Sequence, residues 1–288
     1  MIGVHPLDTS SSQSLERLMF TLLSPAKNLD ESPSPPGLEC SEPELLEDAC
    51  RLIVTARRLS QKRLVELMGI SAPLAKLNYD RYRSFEVPFT QENAKPSSLV
   101  FHGEVYRGLD ASSLDARALL WAQSRVGILS GLYGILRPLD LVQPYRLEMG
   151  TRLANGRGRN LYEFWGDRIT RVISDRLEGH EDPTLVNLAS LEYFKSVRPR
   201  LLYTQVVTPI FHDVKEGKKP GVIAVLAKRA RGLMTRFIIE NRIDRVEGLK
   251  DFAVDRYRFQ ADHSDGNRWV FSRPYVSVAD AKKRALVG

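Results

Sequence analysis

The chain has 288 residues, 43% of them hydrophobic and 27% charged, which is an ordinary globular composition with room for one large domain or two modest ones. No stretch approaches the ~18 consecutive apolar residues that a membrane span needs, and two cysteines, Cys40 and Cys50, make neither a disulfide framework nor a metal site. A formal net charge of +7 and a pI near 9.4 point to an anionic partner; the cysteine usage makes a cytoplasmic protein the expectation, a monomer with no cofactor and no membrane.

In chain order, residues 1–18 lack the apolar core and early positive charge of a secretory signal and read as a disordered N-terminal extension. Met19 is a candidate start, because 19–23, Met-Phe-Thr-Leu-Leu, reads as a first buried strand. The proline-rich loop 24–41 cannot be regular structure. A helix follows with Pro43 near its first turn and Leu45, Leu46, Ala49, Leu52, Ile53 and Ala56 on one stripe. Ser60 caps a second helix that ends at Gly69, and a third starts around Ala72-Pro73. Apolar runs at 99–101, 126–129, 185–188, 206–211 and 222–226 predict strands, and Asn160 opens a helix through Leu177, ending at Gly179. The expectation is a mixed α/β (α+β) fold: one compact domain over 19–274 with a helical lobe near 43–84, followed by a flexible tail, 275–288.

The stretch 127–150, GILSGLYGILRPLDLVQPYRLEMG, carries the most information. Glycine and proline interrupt it repeatedly, and Tyr133, Arg137, Asp140, Tyr145, Arg146 and Glu148 sit between them. Such a loop builds a site more readily than it joins two elements. Around Gly69, Ile70, Ser71, Leu74 and Ala75, the pattern of glycine, hydrophobe, small residue and second hydrophobe resembles a helix-hairpin-helix. Such a hairpin offers backbone N–H groups at a helix N-terminus to a phosphate and binds nucleic acid without reading sequence. Ser71 stands where a second glycine is commonest, and Pro73 lacks an N–H. Residues Gly69, Ile70, Ser71, Ala72, Lys76 and Arg81 are the nucleic-acid candidates.

Residues 226–242 form a basic amphipathic helix, with Ala230, Leu233, Met234, Phe237 and Ile238 on one arc and Lys228, Arg229, Arg231, Thr235 and Arg236 on the other. Cations crowd its first turns, where the helix dipole disfavours them, which hints at an anionic ligand. Asn187 ends a strand, and Ser190 caps a short helix carrying Glu192, Tyr193 and Lys195. Ser24-Pro-Ala-Lys27 has the Ser-x-x-Lys spacing of acyl-enzymes but lacks the partner motifs. Lys27 therefore reads as an anion-binding or catalytic amine in a cleft. P-loop, dinucleotide and His-Glu-x-x-His signatures are absent, and the five histidines are scattered.

Taken together, the runs LLSPAKNLD (22–30), SGLYGILRPLDLVQPYRLEMG (130–150), NLYEFWGD (160–167), NLASLEYFKSVRP (187–199) and AKRARGLMTRFIIENR (227–242) resemble the YaaA family of bacterial peroxide-stress proteins. The resemblance covers 19 to about 273. It implies an unusual mixed α/β fold with a helix-hairpin-helix and a basic cleft. It also implies DNA binding and protection against hydrogen peroxide by limiting iron-mediated oxidative damage.

Three readings follow. The first is a stress protein that binds the DNA phosphate backbone without sequence preference, favouring distorted or single-stranded forms, with Lys27, Arg137, Arg146, Lys195, Lys228, Arg231 and Arg236 lining the cleft and Tyr133 and Tyr145 stacking on bases. The second is an enzyme acting on an anionic small molecule, with catalytic candidates Lys27, Tyr133, Glu148, Asn187 and Lys195. The third is direct binding of iron.

Overall fold

Met19, Phe20, Thr21, Leu22 and Leu23 are all buried, as is every residue of 126–130. Strands buried on both faces belong in the middle of a parallel sheet, and that is where the computed structural model puts them. It describes residues 17–35, 37–178 and 180–275.

The first part of the chain gives β1 (Arg17–Leu23), β2 (Asn28–Leu29), α1 (Leu46–Ala56), α2 (Gln61–Met68), α3 (Ala72–Ser84), β3 (Lys95–Pro96), α4 (Ser97–Val100), β4 (Phe101–His102), α5 (Glu104–Leu109) and α6 (Ala116–Gln123). The rest gives β5 (Val126–Ser130), β6 (Gly134–Leu136), β7 (Leu141–Val142), α7 (Leu161–Trp165), α8 (Arg168–Leu177), β8 (Glu181–Asn187), α9 (Leu191–Phe194), β9 (Gln205–Val214), α10 (Ala224–Glu240), β10 (Arg258–Phe259) and β11 (Arg268–Pro274).

Seven strands form one sheet in the order β10-β11-β9-β8-β1-β5-β6. The five inner strands are parallel, and β6 and β10 close the edges antiparallel. Counted in chain order, the parallel strands run 2-1-3-4-5, one of the two common orders of doubly wound sheets. The direction of winding reverses between β1 and β8. Crevices for ligands lie outside the carboxyl ends of strands at that reversal.

The helices bury the stripes their periodicity predicts: Ala49, Leu52, Ile53 and Ala56 in α1, and Ile169, Val172, Ile173 and Leu177 in α8. Helices α5 and α10 cross at two glycines. A Cβ on Gly232 would stand 1.8 Å from the Val105 carbonyl oxygen, and one on Gly108 2.3 Å from that of Arg229. Only backbone against backbone fits there.

Some local expectations are corrected. Residues 222–226 are not a strand: Val222 and Val225 are exposed, and α10 begins at Ala224 because its face of Ala227, Ala230, Gly232 and Met234 buries better as a helix. The run at 99–101 is mostly the helical turn α4, held at its start by Ser97 Oγ donating to the Arg137 carbonyl at 2.7 Å. The single helix expected over 160–177 breaks at Gly166, φ 53°, into α7 and α8. Its expected end, Gly179, lies outside the described residues, as do the extension before Arg17 and the tail after Tyr275.

Candidate functional site

The carboxyl ends of β1 and β8 meet at two serines. Ser24 follows β1 and Ser190 opens α9; the Ser190 backbone N–H donates to Ser24 Oγ at 2.8 Å, and the two hydroxyl oxygens lie 3.3 Å apart. Tyr106 holds the same turn by donating to the Ser24 carbonyl at 3.0 Å.

The loop leading into the site is extended, so its side chains alternate. Tyr145, Leu147 and Met149 turn into the core, while Arg146 and Glu148 turn out together. Arg146 Nη2 meets Glu148 Oε1 at 3.1 Å, and Lys27 Nζ meets Glu148 Oε2 at 2.7 Å. One carboxylate thus binds two cations. Gly131 makes this possible: a Cβ there would sit 2.1 Å from the Leu147 carbonyl oxygen. Beside the triad, Glu192 Oε1 accepts from the Gly150 N–H at 2.9 Å, and Tyr162 donates to the Glu192 carbonyl at 2.9 Å. Lys195 Nζ lies 5.0 Å from the Tyr162 ring centroid.

The helical hairpin adjoins this cluster. Ser60 caps α2, and Gly69 ends it in the left-handed conformation, φ 60°. Ile70 turns inward to the core, leaving Gly69, Ser71, Ala72, Pro73 and Leu74 exposed. Ser71 opens α3 without a side-chain cap, so the N–H groups of the first turn have none. The Tyr82 hydroxyl of α3 donates to the Arg146 carbonyl, fixing the hairpin to the loop. Between them lies an open pocket of about 250 Å³ lined by Leu67, Met68, Glu148, Gly150, Thr151 and Glu192. A larger pocket, about 430 Å³, opens elsewhere, among Glu31–Ser34, residues 91–95, Val142 and Pro144.

The structure gathers Lys27, Arg146, Glu148 and, through Glu192 and Tyr162, Lys195. It does not gather all the expected cations. Arg137 is committed to the buried Asp140 at 2.9 Å and to the Glu42 carbonyl at 3.0 Å. Arg236 binds the Leu109 and Asp110 carbonyls at the end of α5, as well as Glu240. Arg231 is mostly buried rather than on an outer basic face, its guanidinium pKa lowered by desolvation, and Thr235 is fully buried. Lys228 is exposed at the start of α10. In the hairpin, Lys76 pairs with Asp80 at 2.6 Å and Arg81 with Glu31.

Tyr133 and Tyr145 offer no face to a base. Both are in the core, their rings 5.3 Å apart, and Tyr145 shares a 2.6 Å hydrogen bond with Ser130. Burial pushes both phenol pKa values up. Asn187 shapes the exit of β8 by accepting from the Ala189 N–H at 3.1 Å. Leu67, Met68 and the Ser24–Ser190 contact escaped the sequence reading; the Ser-x-x-Lys spacing marked Ser24, but nothing local showed its distant partner. Among the described residues no group of three His, Cys, Asp or Glu side chains is placed to hold a metal ion. No helix among them is long and apolar enough to cross a membrane.

Fold and site together define a doubly wound α/β protein with an ion-paired groove where its winding reverses. Over residues 19–263 the chain matches the family described as peroxide stress protein YaaA, and it belongs to that family. It is 51% identical over 257 residues to a UPF0246 protein of Burkholderia vietnamiensis, covering 88% of this chain and 98% of that one. UPF0246 proteins of Burkholderia ambifaria and Burkholderia mallei are similar at the same identity and coverage.

Proposed function

We propose that this protein serves the peroxide-stress response in the cytoplasm by binding DNA through its phosphate backbone, without sequence preference, and limits iron-mediated oxidative damage to it. The observation that carries this is the uncapped start of α3, exposed at Ser71, Ala72 and Leu74, just after the Leu67–Met68 wall of a pocket whose Glu148 pairs with Lys27 and Arg146. The α3 N–H groups and the helix dipole supply an anion site. This hairpin acts as a helix-hairpin-helix, and Lys62, Arg63 and Lys76 surround it in sequence. Gel or filter binding with duplex, single-stranded and distorted DNA tests the reading. Retention of at least one form, weakening steeply as salt rises, supports it; no retention of any form at low salt defeats it.

A second reading is favoured by the serine contact at the sheet reversal. Ser24 and Ser190 lie where doubly wound proteins bind small ligands, with Lys27 and Glu148 joined beside them. On this reading Lys27 and Arg146 orient an anionic small molecule and Glu148 moves protons. A calorimetric screen of anionic metabolites against the protein and Lys27→Ala separates the two readings.

A further inference from the structure

The pocket between the hairpin and the 148–151 loop presents a difficulty for a DNA site: two of its lining residues are acidic. Glu148 is neutralised by Lys27 and Arg146. Glu192 is not. Its Oε1 accepts from the Gly150 N–H, and its Oε2 accepts from no described residue. A carboxylate left with acceptor capacity, in a groove that holds a polyanion, is repulsive unless the ligand brings hydrogen-bond donors to it.

The other wall supplies Leu67 and Met68, both half-buried on the last turn of α2. A pocket with an apolar wall facing an acceptor suits a flat group with a donor edge. At about 250 Å³ it falls below the ~300–1,000 Å³ of drug-sized ligand sites and has room for one base. It also opens directly beside the exposed amides of α3, because Leu67 and Met68 immediately precede the hairpin turn.

Resting on the DNA-binding reading above, we infer that this pocket receives an unpaired base of the bound DNA and that Glu192 selects guanine. The base packs against Met68 and Leu67, as extruded bases pack on apolar side chains, while its Watson–Crick edge meets the carboxylate. Guanine alone places two adjacent donors, N1–H and the exocyclic N2 amine, on that edge. Adenine and cytosine each pair a single donor with an acceptor, and thymine flanks its one N–H with two carbonyls. The inference transfers base contact from Tyr133 and Tyr145, which are buried, to a surface that is open.

The test is fluorescence anisotropy at low salt with a labelled oligothymidylate carrying one central guanine, one inosine (guanine without the N2 amine) or one abasic position. The expected result is about tenfold tighter binding of the guanine strand than of the other two. In Glu192→Gln, which keeps a carbonyl for Gly150, the guanine-to-inosine affinity ratio falls to near one at an unchanged melting temperature, while the abasic strand stays weaker because the packing on Leu67 and Met68 remains. Equal binding of all three strands by the wild type overturns the base pocket and leaves DNA binding standing. A preference for guanine over inosine that survives in Glu192→Gln overturns the assignment to Glu192. Binding of no strand overturns both readings together.

Discussion

The backbone N–H of Ser190 donates to Ser24 Oγ at 2.8 Å, across 166 positions of sequence, and ties the loops leaving β1 and β8 where the sheet reverses. Ser24→Ala removes the acceptor and leaves that N–H half-buried without a partner, a cost of about 1–3 kcal/mol. The expected outcome is a lower unfolding midpoint and faster amide hydrogen exchange at Ser190. Exchange as slow as in the wild type would show that the tie does not hold the two loops.

Gly131 lets the 145–149 segment lie flat on the end of β5. A methyl group at this position collides with the Leu147 carbonyl oxygen, so Gly131→Ala must push the loop outward. Overpacking of this kind costs about 1–3 kcal/mol, or several degrees in melting temperature. Because Arg146 and Glu148 ride on the same segment, the proposed DNA binding predicts a lower affinity for this variant as well. Calorimetry and a binding titration on the one variant check both effects.

Lys27 is 62% exposed and paired to Glu148, so the pair adds little to stability, about 0–1 kcal/mol. Lys27→Ala therefore melts close to the wild type. If Lys27 contacts a phosphate, as the proposed DNA binding requires, its loss lowers the slope of log affinity against log salt by about 0.7 for single-stranded DNA. An unchanged slope would place Lys27 outside the DNA path.

Tyr82, Tyr106, Tyr133, Tyr145 and Tyr193 all have their pKa values raised, each chiefly by desolvation. The folded protein holds protons that the unfolded chain releases near pH 10. Their contribution to stability is complete below that pH and is lost as pH rises from about 10 toward the folded values. Absorbance at 295 nm should show these five phenols ionising only as the protein unfolds. Ionisation of all tyrosines in one step near pH 10 in the folded protein contradicts the burial.

Much of this organisation is legible in the residues. Ser60, Gly69 and Pro73 mark the hairpin because capping and turn chemistry are local. Apart from Thr21 and Ser130, the runs 19–23 of β1 and 126–130 of β5 carry no polar side chain, because both faces are covered. Strand β11 is not legible in the sequence, since Arg268, Ser272 and Arg273 interrupt its apolar pattern; Arg273 is held by the distant Asp213 and Asp255 and by the Tyr257 ring. Charge was the least reliable guide to the site. Arg137 and Arg236 look like ligand groups in sequence, yet each binds a carboxylate close by in the chain, Asp140 or Glu240, and backbone carbonyls that only the folded chain brings near. The serine contact and the Met68–Glu192 pocket depend on residues far apart in sequence, and no local pattern encodes them.

The account turns on the open start of α3 as a phosphate site. Ala72 is exposed in its first turn, so Ala72→Glu places a negative charge where the dipole favours it for folding and where a phosphate would have to sit. Measured by anisotropy against single-stranded DNA over a range of salt, the wild type should bind with an affinity that falls steeply with salt. Ala72→Glu should bind at least about tenfold more weakly while melting no lower. Equal affinity of the two proteins, or no DNA binding by the wild type at low salt, contradicts it.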